Sequence, residues 1–227
     1  MLAIPARRVN RGEPTSLTPL ALAALLDQPD RSTRKGRRDV VLLSVLYDTG
    51  ARVQELIDLR VRDVRMDAPA TVQLTGKGRK TRLVPLLPGT ARLLGQYLRE
   101  EALLAPGRSE EWLFRNQRNG RFSRWGVRYL MQKYCDRARA TCSAFPRRVT
   151  PHSLRHSKAI HLLQAGNPTV VIRDILGHAD IQSTEIYARV DLEMKRRALE
   201  KAADTSRRPA LPPWHRKPDL LLWLESI

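Results

Sequence analysis

Along most of this chain the hydrophobic positions recur at helical spacing. Leu20, Leu22, Leu25 and Leu26 follow Thr18-Pro19 and stop near Pro29. That predicts a short helix with a threonine cap and a proline in its first turn. Asp30 to Arg38 is polar and positively charged and reads as a connection. Val40 to Tyr47 is almost wholly apolar, the pattern of a helix in the middle of a core. Asp48-Thr49-Gly50-Ala51-Arg52 breaks it, and a second helix runs through Val53, Leu56, Ile57 and Leu59. The pattern then changes. Thr71-Val72-Gln73-Leu74 and Arg82-Leu83-Val84-Pro85-Leu86 are strand-like, and Gly76-Lys77-Gly78-Arg79-Lys80 lies between them. This predicts a β-hairpin with a basic tip.

Helical spacing returns from Pro88 to Leu104 and again from Ser123 to Ala140, the latter with Arg and Lys on its polar side. Between them Trp112-Leu113-Phe114 predicts a short strand and Asn119-Gly120 a turn. Thr150-Pro151 opens a helix with Leu154, Ile160, Leu162 and Leu163 on its apolar side, and Gly166-Asn167-Pro168 ends it. Val170, Val171, Ile172, Ile175 and Leu176 form another, closed by Gly177 as the residue past its end. Gln182 to Tyr187 and Leu192 to Ala203 are the last helices of the body. Pro209, Pro212, Pro213 and Pro218 make a semi-rigid linker to a strongly apolar terminal helix, Leu220 to Leu224. The expected fold is mainly α with a small antiparallel β-sheet (α+β). Residues 1–17 read as a basic arm, 18–204 as the body, and 205–227 as the proline-rich linker and C-terminal helix.

Charge narrows the choice of partner. Lys and Arg number 41 against 23 Asp and Glu, a formal net charge of +18 spread over the whole length, with 42% hydrophobic residues to build a core. A folded chain that basic is expected to meet a polyanion. The two cysteines, Cys135 and Cys142, have no C-x-x-C spacing and suggest neither a zinc site nor a disulfide framework. Met1 to Val9 lacks an apolar signal region, and the apolar runs are too short to cross a bilayer. A cytoplasmic protein without membrane contact is expected.

The candidate chemistry gathers around Thr150-Pro151-His152-Ser153-Leu154-Arg155-His156. His152 and Arg155, at i and i+3, share a helix face, where an imidazole beside a guanidinium can hold a phosphate and move a proton. Arg52 follows a glycine at a helix start, and Glu55, one turn on, can hold it. Lys77 sits at the hairpin tip. His178 follows Gly177, and Tyr187 lies among Ser183, Thr184, Glu185 and Arg189. Each also has a plain structural explanation: a surface salt bridge for Arg52, solvation for Lys77, helix capping for His178 and half-buried packing for Tyr187.

Taken in order, Thr-Gly-Ala-Arg-x-x-Glu-Leu, Gly-Lys-Gly-x-Lys-x-Arg, His-x-Leu-Arg-His, Leu-Gly-His and Ile-Tyr-Ala-x-Val resemble the tyrosine recombinase, or phage integrase, family, over roughly Thr18 to Ala203. The resemblance implies the catalytic-domain fold of DNA breaking-and-rejoining enzymes. It implies that Tyr187 attacks the scissile phosphate and forms a 3′-phosphotyrosine. Arg52 and Arg155 would hold the non-bridging oxygens, Lys77 would protonate the leaving 5′-oxygen, and His152 would assist proton transfer. His178 would hydrogen-bond the phosphate, Glu55 would support the site, and Arg79, Lys80 and Arg82 would contact DNA. No metal or other cofactor is implied. The partners that the resemblance implies are double-stranded DNA and further copies of the chain, as a tetramer on DNA joined through the C-terminal helix, in a bacterial, cytoplasmic and nucleoid-associated setting. Ala51, Ser157-Lys158 and Arg189 depart from the commoner family residues at positions without an implied catalytic role. Full-length members carry a core-type DNA-binding domain ahead of this one, and here that domain is expected to be absent. Two alternatives remain open: a type IB topoisomerase, and an idle DNA-binding remnant of a mobile element.

Overall fold

The computed structural model describes residues 15–177 and residue 196. Helix α1 (Pro19–Leu26) begins where Thr18 accepts a hydrogen bond from the Ala21 amide. Helix α2 (Arg34–Thr49) starts six residues before the apolar run. Thr33 caps it by accepting from the Gly36 amide. Arginines in a first turn oppose the helix dipole. Here Arg34 and Arg37 reach across to Glu101 and Glu100. The second half of the segment expected to be a connection, Arg34 to Arg38, is therefore the start of the central helix, and only Asp30 to Thr33 connects. Val40, Val41, Leu42, Leu43, Val45 and Leu46 are all buried. Burial at consecutive positions places α2 inside the core on every side, against α1, α4 and α6.

Gly50 ends α2 in the left-handed conformation, φ +56°, and α3 (Val53–Ile57) follows at once. The hairpin forms as expected, β2 (Thr71–Thr75) antiparallel to β3 (Thr81–Pro85), with Val72 opposite Val84. A two-residue strand, β1 (Val64–Arg65), pairs with the other edge of β2 and completes a three-stranded sheet in the order β1-β2-β3. That strand has too few residues to show an alternating pattern. Helix α4 (Pro88–Glu100) ends four residues before Leu104, and turns follow it. The expected strand at Trp112 to Phe114 is only a bridge between Arg60 and Trp112. Phe114 and Leu113 are buried there without a ladder.

Helix α5 (Arg124–Thr141) is capped by Ser123 and buries Val127, Leu130, Met131, Tyr134, Cys135 and Ala138. Helix α6 (Pro151–Gln164) starts at Thr150, whose hydroxyl accepts from the Ser153 amide, with Pro151 in the first turn. Helix α7 (Thr169–Leu176) ends at Gly177, φ +64°. The expected helices at Gln182 to Tyr187, Leu192 to Ala203 (residue 196 apart) and Leu220 to Leu224 lie outside the described residues, as does the basic arm before residue 15. No described helix is long and apolar enough to cross a membrane. Among the described residues the protein is helix-rich with one small antiparallel sheet, as its hydrophobic pattern predicts.

Candidate active site

Three chain breaks meet at one place: the α2–α3 turn, the start of α6 and the end of α7. Arg52 stands before the first residue of α3. Glu55, three residues on, accepts from the Arg52 amide at 2.9 Å and from its Nη1 at 3.0 Å. The carboxylate therefore satisfies an orphan amide at the helix start and orients the arginine with the same group. The Arg52 side chain keeps 47% of its surface in solvent, whereas Glu55 keeps 3%.

A second guanidinium completes the surroundings of Glu55. Arg82, on β3, donates to Oε2 at 2.7 Å and to Oε1 at 3.2 Å, and its Nε donates to the Ile175 carbonyl at 2.9 Å. Burial alone would raise the Glu55 pKa, but the hydrogen bonds from Arg82 and Arg52 outweigh it and hold the carboxyl below its ordinary value. Arg82, expected to contact DNA with the hairpin tip, is instead turned inward, with 12% of its side chain exposed. It alternates along β3 onto the face that packs on α7. A carboxylate three residues after Arg52 was a sign that a cation would be held there, but nothing in the sequence said that a second cation would share it.

Arg155 is held differently. It is 3% exposed and donates Nη1 to the Gly50 carbonyl at 2.5 Å and Nη2 to the Leu176 carbonyl at 2.6 Å. One guanidinium thus spans the turn before Arg52 and the end of α7. Gly50 permits this approach, because a Cβ there would lie 2.3 Å from Leu176 Cδ2. His152, a turn before Arg155 on α6, stays at the surface. Its pKa is lowered by partial burial first, then by the positive charges of Arg155 and Arg52. The charges of both arginines thus reach one imidazole, and the lowered pKa favours its neutral form, which can accept a proton.

The hairpin tip joins this cluster from the other side. A Cβ on Gly76 would sit 3.1 Å from Glu55 Oε1, and Lys77 follows in a 3-10 turn, Lys77–Arg79. Arg79 and Lys80 are exposed at the tip. The structure therefore brings Arg52, Glu55, His152 and Arg155 together, with Gly76, the residue before Lys77, against Glu55. His178 and Tyr187 lie outside the described residues.

A profile of the phage integrase family matches residues 15–194. The chain belongs to that family. The matched span contains every motif of the site, including Leu176-Gly177-His178 and Tyr187. An integrase/recombinase of Sinorhizobium fredii, y4rC, is similar to it, with 39% identity over 208 residues, 91% of this chain and 61% of that one. Tyrosine recombinase XerD of Neisseria meningitidis is 36% identical over 184 residues, covering 81% of this chain and 61% of that one. The crystal structure of XerA recombinase superposes with a TM-score of 0.67 at 26% identity, over 82% of this chain and 65% of the other. The phage integrase chain thus spans about three-fifths of the length of the curated relatives it matches. Its fold is that of tyrosine recombinase catalytic domains.

Proposed function

We propose that this chain is the catalytic part of a site-specific DNA recombinase that cleaves and rejoins DNA through a covalent tyrosine intermediate. The observation that carries the reading is the convergence of Arg52, Arg155 and His152 beside a buried Glu55, inside a chain of the phage integrase family. Two guanidiniums and an imidazole in one cluster suit a phosphodiester that gains negative charge as it becomes pentacoordinate.

In the proposed step Tyr187 Oη attacks phosphorus, the P–O5′ bond breaks, and a 3′-phosphotyrosine forms. A free tyrosine hydroxyl has a pKa of about 10 and needs its proton removed, a task that suits neutral His152. Lys77 returns a proton to the departing 5′-oxygen. Arg52, Arg155 and His178 bind the non-bridging oxygens. The phosphotyrosine conserves the bond energy, so a 5′-hydroxyl re-attacks it and rejoins the strand without ATP, metal or another cofactor.

Double-stranded DNA is the proposed substrate. The net charge of +18 and the exposed Arg79 and Lys80 support it. So does the outer face of α5, where Trp125 and Tyr129 project into solvent beside Arg128. A XerH recombinase of similar fold is seen bound to its difH site. We further propose assembly as a tetramer on DNA through the helix Leu220 to Leu224, and a cytoplasmic, nucleoid-associated location. The relatives named above are recombinases and integrases, which favours this reading over a topoisomerase.

The test is incubation with a nicked suicide duplex, in which the strand downstream of the cut diffuses away. The parent chain should form a covalent protein–DNA adduct, and Tyr187→Phe should form none while binding the same duplex. An adduct that persists in Tyr187→Phe, or a parent chain that never forms one on a cognate site, overturns the reading.

A further inference from the structure

The i, i+3 series that begins with the two candidate catalytic residues of α6 continues past them. His152, Arg155, Lys158 and His161 recur every third position, so they wind about half-way round the helix as they descend it, from the surface at His152 into the seam with α2. The last three meet the C-terminal end of α2 in reverse order. His161 Nδ1 accepts from the Tyr47 hydroxyl at 2.7 Å. Lys158 Nζ lies 3.7 Å from Asp48 Oδ1. Arg155 Nη1 donates to the Gly50 carbonyl at 2.5 Å. The seam between α2 and α6 is therefore an antiparallel series of three matched polar contacts, and its last member is a proposed phosphate-binding arginine.

The middle contact is the unusual one. Asp48 and Lys158 keep 2% and 11% of their side chains exposed. The other Asp48 oxygen accepts from the Leu87 amide at 3.1 Å, just before α4. The Lys158 ammonium also lies 5.1 Å from the centre of the Tyr47 ring. Taking both charges out of water costs about what their attraction returns, so a buried pair of this kind adds little net stability. An apolar pair of similar volume would fill the same space. What such a pair does supply is a preferred alignment, because sliding either helix strands a charge. The alignment at stake here is that of Arg155, one turn from Lys158 on α6, relative to Arg52, four residues beyond Asp48.

We propose that Asp48 and Lys158 are positioning residues: a buried ion pair that fixes α6 against the α2–α3 turn and so sets Arg155 relative to Arg52. The pair touches no substrate and acts only through the two arginines. The proposal rests on the recombinase reading for the importance of that spacing.

The test uses the full chain with both residues replaced, Asp48→Asn together with Lys158→Met. Asparagine keeps an acceptor for the Leu87 amide, and methionine fills the path of the lysine stem. The measurements are the melting temperature, affinity for an uncut cognate duplex, and the single-turnover rate of adduct formation on the suicide duplex. The expected result is a melting temperature within a few degrees of the parent and unchanged affinity, with cleavage slowed about 10- to 100-fold. Misplacement of about 1 Å has that scale of effect. Lys158→Arg, which keeps the ion pair, should recover most of the lost rate. Parent-like cleavage by the double variant overturns the proposal. So does a melting temperature that falls in step with the rate, since the pair would then be carrying stability. A parent chain that forms no adduct at all is a different failure, that of the recombinase reading itself.

Discussion

Arg52 and Arg155 are the same side chain held in opposite ways. Arg52 is half exposed and is oriented by a carboxylate, Glu55, which is shared with a second arginine. Arg155 is buried and is held by two backbone carbonyls, those of Gly50 and Leu176. A carboxylate partner neutralises charge, so Arg52 needs Arg82 close by if the site is to stay positive. The Gly50 and Leu176 carbonyls orient the Arg155 guanidinium without themselves cancelling its charge. The price of that arrangement is geometric. Carbonyls can be aimed inward only where helices end, and Arg155 depends on α2 and α7 both stopping at glycines, Gly50 and Gly177.

The largest change should come from removing the shared carboxylate. Glu55→Ala leaves Arg82 buried without its anion, a loss on the order of 3–5 kcal/mol in folding stability. It should also free Arg52 to move while leaving the carbonyl contacts of Arg155 in place. Chemical denaturation measures the first effect. A loss below about 1 kcal/mol would mean that Arg82 finds another partner and that the Arg52 half of the comparison is misread.

Next come the arginines themselves. Arg52→Ala and Arg155→Ala should each slow adduct formation on the order of 10²-fold or more, the scale of one lost donor to a developing oxyanion. They should differ in the melt. Arg155→Ala also leaves the Gly50 and Leu176 carbonyls without a donor in a buried place, which costs on the order of 1–3 kcal/mol. Arg52→Ala removes a half-exposed side chain and should leave the melting temperature nearly unchanged. Equal melting temperatures for the two variants would break the distinction.

The smallest effect is that of mild acid. His152, His156 and His161 all lie on α6, and burial is the first cause that lowers the pKa of each. The unfolded chain therefore binds protons near pH 6.5 that the folded chain still refuses, so stability is full above that pH and declines as pH falls through the lowered values. The Glu55 pKa is lowered too, which for a carboxyl favours the charged form, so Glu55 keeps its charge through that window. Acidification from pH 7.5 to 5.5 should thus lower the melting temperature by loosening the Arg155 side and not the Arg52 side. A melting temperature that is flat over this range would show that the three imidazoles are not desolvated.

Much of the architecture was legible because its causes are local. Thr18-Pro19, Ser123 and Thr150-Pro151 start helices by supplying an acceptor or a preset φ within one turn, and each does so in the fold. The hairpin was legible from two β-rich runs around a glycine turn. The start of α2 was not, because Arg34 and Arg37 are made tolerable in a first turn by Glu101 and Glu100, more than sixty residues away. Strand β1 and the bridge at Trp112 depend likewise on partners supplied from elsewhere in the chain.

The site divides along the same line. The order of the motifs, the i to i+3 placing of His152 and Arg155, and the support of Arg52 by Glu55 follow from the sequence alone, since each is set within one helical turn. Two things were decided only by the tertiary structure. Arg82 points inward because β3 packs on α7 and sets its guanidinium between Glu55 and the Ile175 carbonyl. Lys158 meets Asp48 because α6 runs antiparallel to the end of α2. A charged side chain is drawn to solvent or to an opposite charge, and the choice between them rests on distances that exist only after the helices have packed.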